Sequence, residues 1–197
     1  MYSVGITGHL IASAKDLMIT LTPLTLFLTG GVVAYKSFFK ADSNFILWGI
    51  ITYLITYLLE VAGVKTGLVF GEYKYGNVLG FRVLEVPLVI GFNWVLVILG
   101  AISISKSFSD NIFIISFFAA ILSVIFDYFL EPVAIKLGYW EWKAIAVPLQ
   151  NYIAWFIITY IFSFVLLKIK SDFKEGITRE YFLIQFIFFV ILNLFLR

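Results

Sequence analysis

Long apolar runs separated by short polar connectors dominate this chain. Runs at roughly 17–35, 45–64, 84–104, 112–131, 145–168 and 181–196 are long enough to be read as membrane spans. A bilayer core of about 30 Å takes about 20 helical residues to cross. The pattern predicts an all-α fold: a polytopic integral membrane bundle of about six helices, within a range of about five to seven, the last being the shortest. Residues 1–197 are expected to form a single transmembrane domain whose motif core lies at roughly 50–165. No fixed-period repeat or low-complexity tract interrupts it.

The connectors differ in kind. Those at 36–44, 105–111 and 169–180 are plain and polar, carry Lys36, Lys40, Lys106, Lys168, Lys170, Lys174 and Arg179, and are expected to share one side. The N-terminus, the connectors at 65–83 and 132–144, and Arg197 fall on the other side with the remaining seven of 14 cationic residues. Charge alone therefore leaves orientation tied; the plain connectors are assigned to the cytoplasm because their cations belong to no motif.

The second side carries the chemistry. Glu60 lies near the exit of span two, Glu85 at the start of span three, Asp127 and Glu131 at the exit of span four, and Asn151 near the start of span five. An ionisable group at such depth costs about 2.5–3.5 kcal/mol on insertion scales, so it is expected to face the bundle interior and act there. Tyr53, Thr56, Tyr57 and Glu60 recur at helical spacing on one face. Asp127 and Glu131 stand one turn apart, and Pro132 is expected to end their helix. Asn151 and Trp155 form a similar pair just after Pro148, which suits a helix start.

Composition narrows the chemistry further. With 62% hydrophobic and 13% charged residues and a mean hydropathy of +1.02, there is little room for a separate soluble domain. The chain has no cysteine and one histidine, His9, so thiolate metal sites and disulfides are excluded and no metal site is expected. A net charge of +2 gives no case for nucleic acid. A carboxylic acid in apolar surroundings can keep its proton near neutral pH and act as a general acid. Aromatic faces stabilise a nearby cation. Together these suit protonation of an alkene and capture of the carbocation by water, on a substrate dissolved in the membrane.

Each feature also has a plainer reading. Asp127 and Glu131 could pair with Lys136 and Lys143, and Glu85 with Arg82. Glu72, Tyr73 and Tyr75 could form an interfacial turn, Trp140 and Trp142 an aromatic belt, and Asn93, Gln150 and Asn151 links between helices. His9 reads as an ordinary interfacial histidine.

The segments "TGLVFGEYKYGNVLG", "VPLVIGFNW", "DYFLEPVAIKLGYWEW" and "VPLQNYIAWF" resemble the membrane carotenoid-biosynthesis family that includes the carotenoid 1,2-hydratases acting on γ-carotene and bisanhydrobacterioruberin. That resemblance implies a cofactor-independent enzyme that adds water to the terminal double bond of an acyclic ψ end group. It further implies a lipophilic acyclic carotenoid as substrate, contact with membrane lipid, and a bacterial or archaeal cell membrane; association with other carotenoid enzymes stays open. By the resemblance, Glu60, Glu85, Asp127 and Glu131 are candidate catalytic groups. Glu72, Tyr73, Tyr75, Asn93, Trp140, Trp142, Asn151 and Trp155 are candidate substrate-binding positions. A more distant similarity is to small membrane lycopene cyclases, but their Pro-x-Glu-Glu is replaced by Pro148, Leu149, Gln150 and Asn151, which favours hydration over cyclisation. Diphosphate-binding DxxD and DxxxD pairs do not occur. The non-enzymatic alternatives are a proton-coupled transporter, against which the one-sided placement of polar groups counts, and a carotenoid-holding partner subunit.

Overall fold

The computed structural model describes residues 1–39, 41–171 and 173–196, so Lys40 and Arg197 lie outside the described residues. Within those limits the chain forms seven helices, six of them long and apolar enough to cross a membrane. These six are α2 (Ala12–Phe38), α3 (Ser43–Thr66), α4 (Leu88–Ser105), α5 (Ile112–Lys136), α6 (Leu149–Lys168) and α7 (Glu175–Phe195), preceded by a short α1 (Tyr2–Leu10). The expected all-helical bundle of six apolar spans is the fold observed.

Local chemistry sets the helix ends. The Asp42 side chain accepts from the Phe45 N–H at 2.9 Å and caps α3, and Asn111 caps α5 through the N–H groups of Phe113 and Ile114. Helix α3 stops at Gly67, whose φ of 69° suits a residue without Cβ and whose N–H returns to the Gly63 carbonyl. Several expected boundaries shift. The third span starts at Leu88 rather than 84 because residues 82–87 form a hairpin, and the fifth starts at Leu149, directly after Pro148. Pro132 does not end its helix, and α5 runs on to Lys136. The proline withholds one N–H from the Tyr128 carbonyl, but the turn beyond it is held by buried Val133 and Ala134 and by the Leu137 N–H on the Val133 carbonyl at 2.9 Å.

Helix α4 is the most enclosed, with 72% of its most apolar stretch buried against 17% for α2. The outer faces carry aliphatic rows at helical spacing, such as Ile50, Leu54 and Leu58 on α3 and Ile153, Ile157 and Ile161 on α6. In water such rows would be a large apolar patch; facing lipid they are the natural surface. Hydroxyl groups turn inward instead: Ser116 bonds the carbonyl one turn back, and Ser103 bonds both Leu99 O and Thr178 Oγ1 at 2.7 Å.

The two ends of the bundle differ, as the connectors implied. At one end Lys106 pairs with Glu175, the Ser171 hydroxyl donates to Asp42, and Phe45 stacks on Phe173, so the three plain connectors meet. At the other end, β1 (Tyr73–Tyr75) pairs antiparallel with β4 (Trp140–Trp142), placing Tyr73 opposite Trp142 and Tyr75 opposite Trp140. The second hairpin joins β2 (Arg82–Val83) to β3 (Val86–Pro87). Gly76 closes the β1–β4 ribbon: a Cβ there would stand 2.0 Å from the Gly138 carbonyl oxygen.

Candidate active site

Helix exits and the β1–β4 ribbon converge on one cavity of about 70 Å³. All sequence-derived candidates except Glu72 and Glu85 line it. From α3 comes Glu60, from α4 Asn93 and Trp94, from α5 Asp127 and Glu131, and from α6 Asn151 and Trp155, while the ribbon roofs them with Tyr73, Tyr75, Trp140 and Trp142.

The three carboxyl groups are treated differently by their surroundings. Glu60 has both oxygens engaged: Oε2 accepts from the hydroxyls of Tyr73 at 2.5 Å and Tyr75 at 2.7 Å, and Oε1 from the Trp94 indole at 2.8 Å. Burial, then the adjacent Glu60 charge, pushes both tyrosine hydroxyls well above the usual phenol range, so they remain donors. Glu131 Oε2 accepts from the indoles of Trp140 at 3.0 Å and Trp142 at 2.8 Å. The Asn151 amide bridges the remaining pair, donating to Asp127 Oδ2 at 2.6 Å and reaching Glu131 Oε1 at 3.4 Å. Asp127 Oδ1 is buried and unpartnered among the described residues, and so is Asn93 Oδ1 on α4. A carboxyl group with one oxygen held and the other unpartnered can act as a proton donor, and a second buried, unpartnered acceptor lining the same cavity can hold a water.

The aromatic walls are ordered. Trp94 and Trp155 stack at 3.9 Å between ring centroids, Tyr73 lies 5.0 Å from Trp142, and Tyr75 meets Trp140 edge-on at 6.0 Å. Trp140 and Trp142 are therefore cavity walls as well as donors, rather than an aromatic belt alone. The polar face read on span two divides in the fold. Tyr57 donates to the carbonyls of Val83 and Val86 and Tyr53 to that of Leu88, so both clamp the β2–β3 segment and leave Glu60 to the cavity.

Glu85 and Glu72 lie elsewhere. Glu85 sits exposed at the tip of the β2–β3 hairpin, where Leu84 and Glu85 have φ of 50° and 70°, the geometry of a two-residue primed turn. Its expected partner Arg82 instead donates to Asn77 Oδ1 at 2.5 Å. Glu72 pairs with Lys143 at 2.5 Å on the outer side of the ribbon, so Lys143 does not serve the buried acids. There the two residues help line a solvent-facing depression of about 390 Å³, together with Lys65, Lys74 and Glu141. Tyr73 and Trp142 line both spaces and form the partition between the charged depression and the inner cavity.

Three wall residues with polar side-chain groups were missed. Trp94, the donor to Glu60, sits next to Asn93 within "VPLVIGFNW", and its indole was the signal. Gln185 is an amide amid the apolar run of α7, a polar interruption of the kind that marked Glu60. Tyr139 gave no signal, because only the fold carries its hydroxyl to Thr22 Oγ1, 3.3 Å away.

The family described as "Carotenoid biosynthesis protein" matches residues 21–197. The chain is also similar to the bisanhydrobacterioruberin hydratase of Haloarcula japonica, with 32% identity over 116 residues, or 52% of this chain. The match covers 38% of that relative's own length. No solved structure matches.

Proposed function

The chain belongs to the carotenoid biosynthesis protein family, and on that premise we propose that it is a cofactor-independent hydratase of an acyclic carotenoid end group. The observation that carries the reading is the unequal provision of hydrogen-bond donors to three buried carboxyl groups: Glu60 and Glu131 are held by rings, and Asp127 keeps one oxygen free.

The terminal trisubstituted alkene of a ψ end would lie against Asp127 with its dimethyl carbon toward the tryptophans. Asp127 gives its proton to the less substituted alkene carbon, which leaves a tertiary cation on the dimethyl carbon. The faces of Trp94, Trp155 and Trp140 offset that charge. Water held between Asn93 Oδ1 and Glu131 Oε1 adds to the cation, and Glu131 takes the proton that the water releases. One proton leaves Asp127 and one arrives on Glu131, so the product is a tertiary alcohol and the pair is reset when the proton returns. Asn151, bridging both carboxyl groups, holds them at the spacing this exchange requires. Water would reach the site from the charged depression past Tyr73 and Trp142.

The membrane would be that of a bacterial or archaeal cell. Support for water addition also comes from the similarity to a protein whose name specifies a hydratase. The test is expression in a bacterium that accumulates lycopene or γ-carotene, with the pigments analysed by liquid chromatography and mass spectrometry. Hydration yields a product heavier by one water with its chromophore unchanged. A product of unchanged mass with a shorter chromophore is a cyclase product and would overturn the reading.

A further inference from the structure

A second cavity, of about 280 Å³ and almost wholly apolar, lies between α1, α2 and α7. It shares Leu26, Tyr139, Gln185 and Phe189 with the carboxylate cavity, so the two spaces abut across one wall of four side chains. The inner space of about 70 Å³ has room for only a few heavy atoms, so a long polyene must continue elsewhere.

Resting on the hydratase reading, we propose that this α1–α2–α7 cavity binds the polyene chain behind the reacting end group and opens laterally to lipid. Three observations carry the assignment. The wall is continuous with the site, and Tyr139, anchored to Thr22 across α2, stands at the junction where a chain would pass. The outer rim is apolar and exposed, with Val4 at 65% and Leu21 at 36%, so the cavity meets the surface that faces lipid. Its lining holds no Asp, Glu, Lys or Arg side chain among the described residues. His9 donates through Nδ1 to the Gly5 carbonyl at 2.7 Å, and burial holds the imidazole below its ordinary range, which keeps this wall neutral. Gln185 donates to Tyr181 at 2.9 Å and likewise contributes no charge. The cavity shares no lining residue with the charged depression, so substrate and water would approach by separate routes. Tyr2, Val4 and Gly5 of α1 line this cavity and lie ahead of the residues matched by the family.

The experiment fills the cavity at positions that do not line the carboxylate site. Full-length Thr25→Phe and Val4→Trp variants are purified in lipid nanodiscs. Each is assayed with lycopene and with a short C10 to C15 isoprenoid bearing the same terminal dimethylalkene, and lycopene retained per protein is measured by absorbance. Displacing a few methylenes of bound chain should raise KM for lycopene by at least about tenfold and lower retained pigment, while turnover of the short substrate stays within about twofold. The short substrate thus reports on folding and on the chemistry. If both substrates lose turnover together in both variants, or if lycopene kinetics and retention are unaffected, the cavity is not the chain site. Should the wild type hydrate neither substrate, the hydratase reading fails, while the retention comparison still decides the chain site.

Discussion

In the proposed mechanism Asp127 is the proton donor, because Oδ2 is held by Asn151 and Oδ1 meets no partner among the described residues. Asp127→Asn keeps the shape and removes the transferable proton. Turnover should fall by about 10²- to 10⁴-fold, the usual worth of a positioned acid, with the protein still inserted; wild-type rates would remove Asp127 from the mechanism. Glu60 has a different part, as the fixed point on which Tyr73, Tyr75 and Trp94 converge. Tyr73→Phe removes one of its three donors and should cost about 1–3 kcal/mol of stability, read as an earlier thermal transition in detergent. The same tyrosines set an alkaline limit. Their folded pKa values lie above the ordinary phenol value of about 10, so the folded state keeps protons that the unfolded chain releases. Stability from this source is complete below about pH 10 and declines as pH rises above it. Unfolding followed against pH should show that decline, weakened in Tyr73→Phe; a decline already complete by pH 8 would contradict the assignment.

At the scale of elements, the β1–β4 ribbon assembles the site, since it delivers two tyrosines to Glu60 and two indoles to Glu131 from connectors far apart in sequence. Its closure depends on Gly76 lying against Gly138, where a Cβ has no room. Gly76→Ala should therefore abolish turnover while the six long helices still insert, seen as normal membrane yield with no product; full activity would show that the ribbon is dispensable. The β2–β3 hairpin makes the opposite forecast. Glu85 sits in a left-handed conformation that costs a non-glycine residue roughly 1–2 kcal/mol, and it does not line the cavity. Glu85→Gly should leave turnover unchanged and raise thermal stability slightly, and a large loss of activity would restore Glu85 to the site. These elements also mark the limit of what the chain reveals by itself. Apolar run length located all six long helices, and depth singled out Glu60, Asp127, Glu131 and Asn151, because burying a polar group leaves a trace in an apolar run. Strand pairing between residues 73–75 and 140–142 leaves no such trace, being set by long-range backbone bonds, so donors such as the indoles of Trp140 and Trp142 became evident only in the fold. Likewise Glu85 seemed to begin a helix because an apolar run does not distinguish a tight hairpin from a helix's first turn.

The whole molecule is polarised along its axis. Plain connectors close one end, while the carboxyl groups, the ribbon, the charged depression and the apolar side cavity gather at the other. A transporter would need a polar route to both faces. Beyond the site, α4 presents Val95, Leu96, Val97, Ile98 and Leu99, all at most 5% exposed, which supplies no such route. A water-using enzyme fed with an apolar substrate needs only this one-ended arrangement, with lipid on one side and solvent on the other. The central claim is that water adds across a terminal alkene after proton transfer from this cluster. It is tested most directly by supplying purified protein in nanodiscs with lycopene in heavy-oxygen water, and separately in deuterium oxide, and then locating the isotopes in the product. The account predicts one heavy oxygen on the dimethyl carbon and one non-exchangeable deuterium on its neighbour, both lost in Asp127→Asn. A product that carries neither isotope at those two carbons would contradict it.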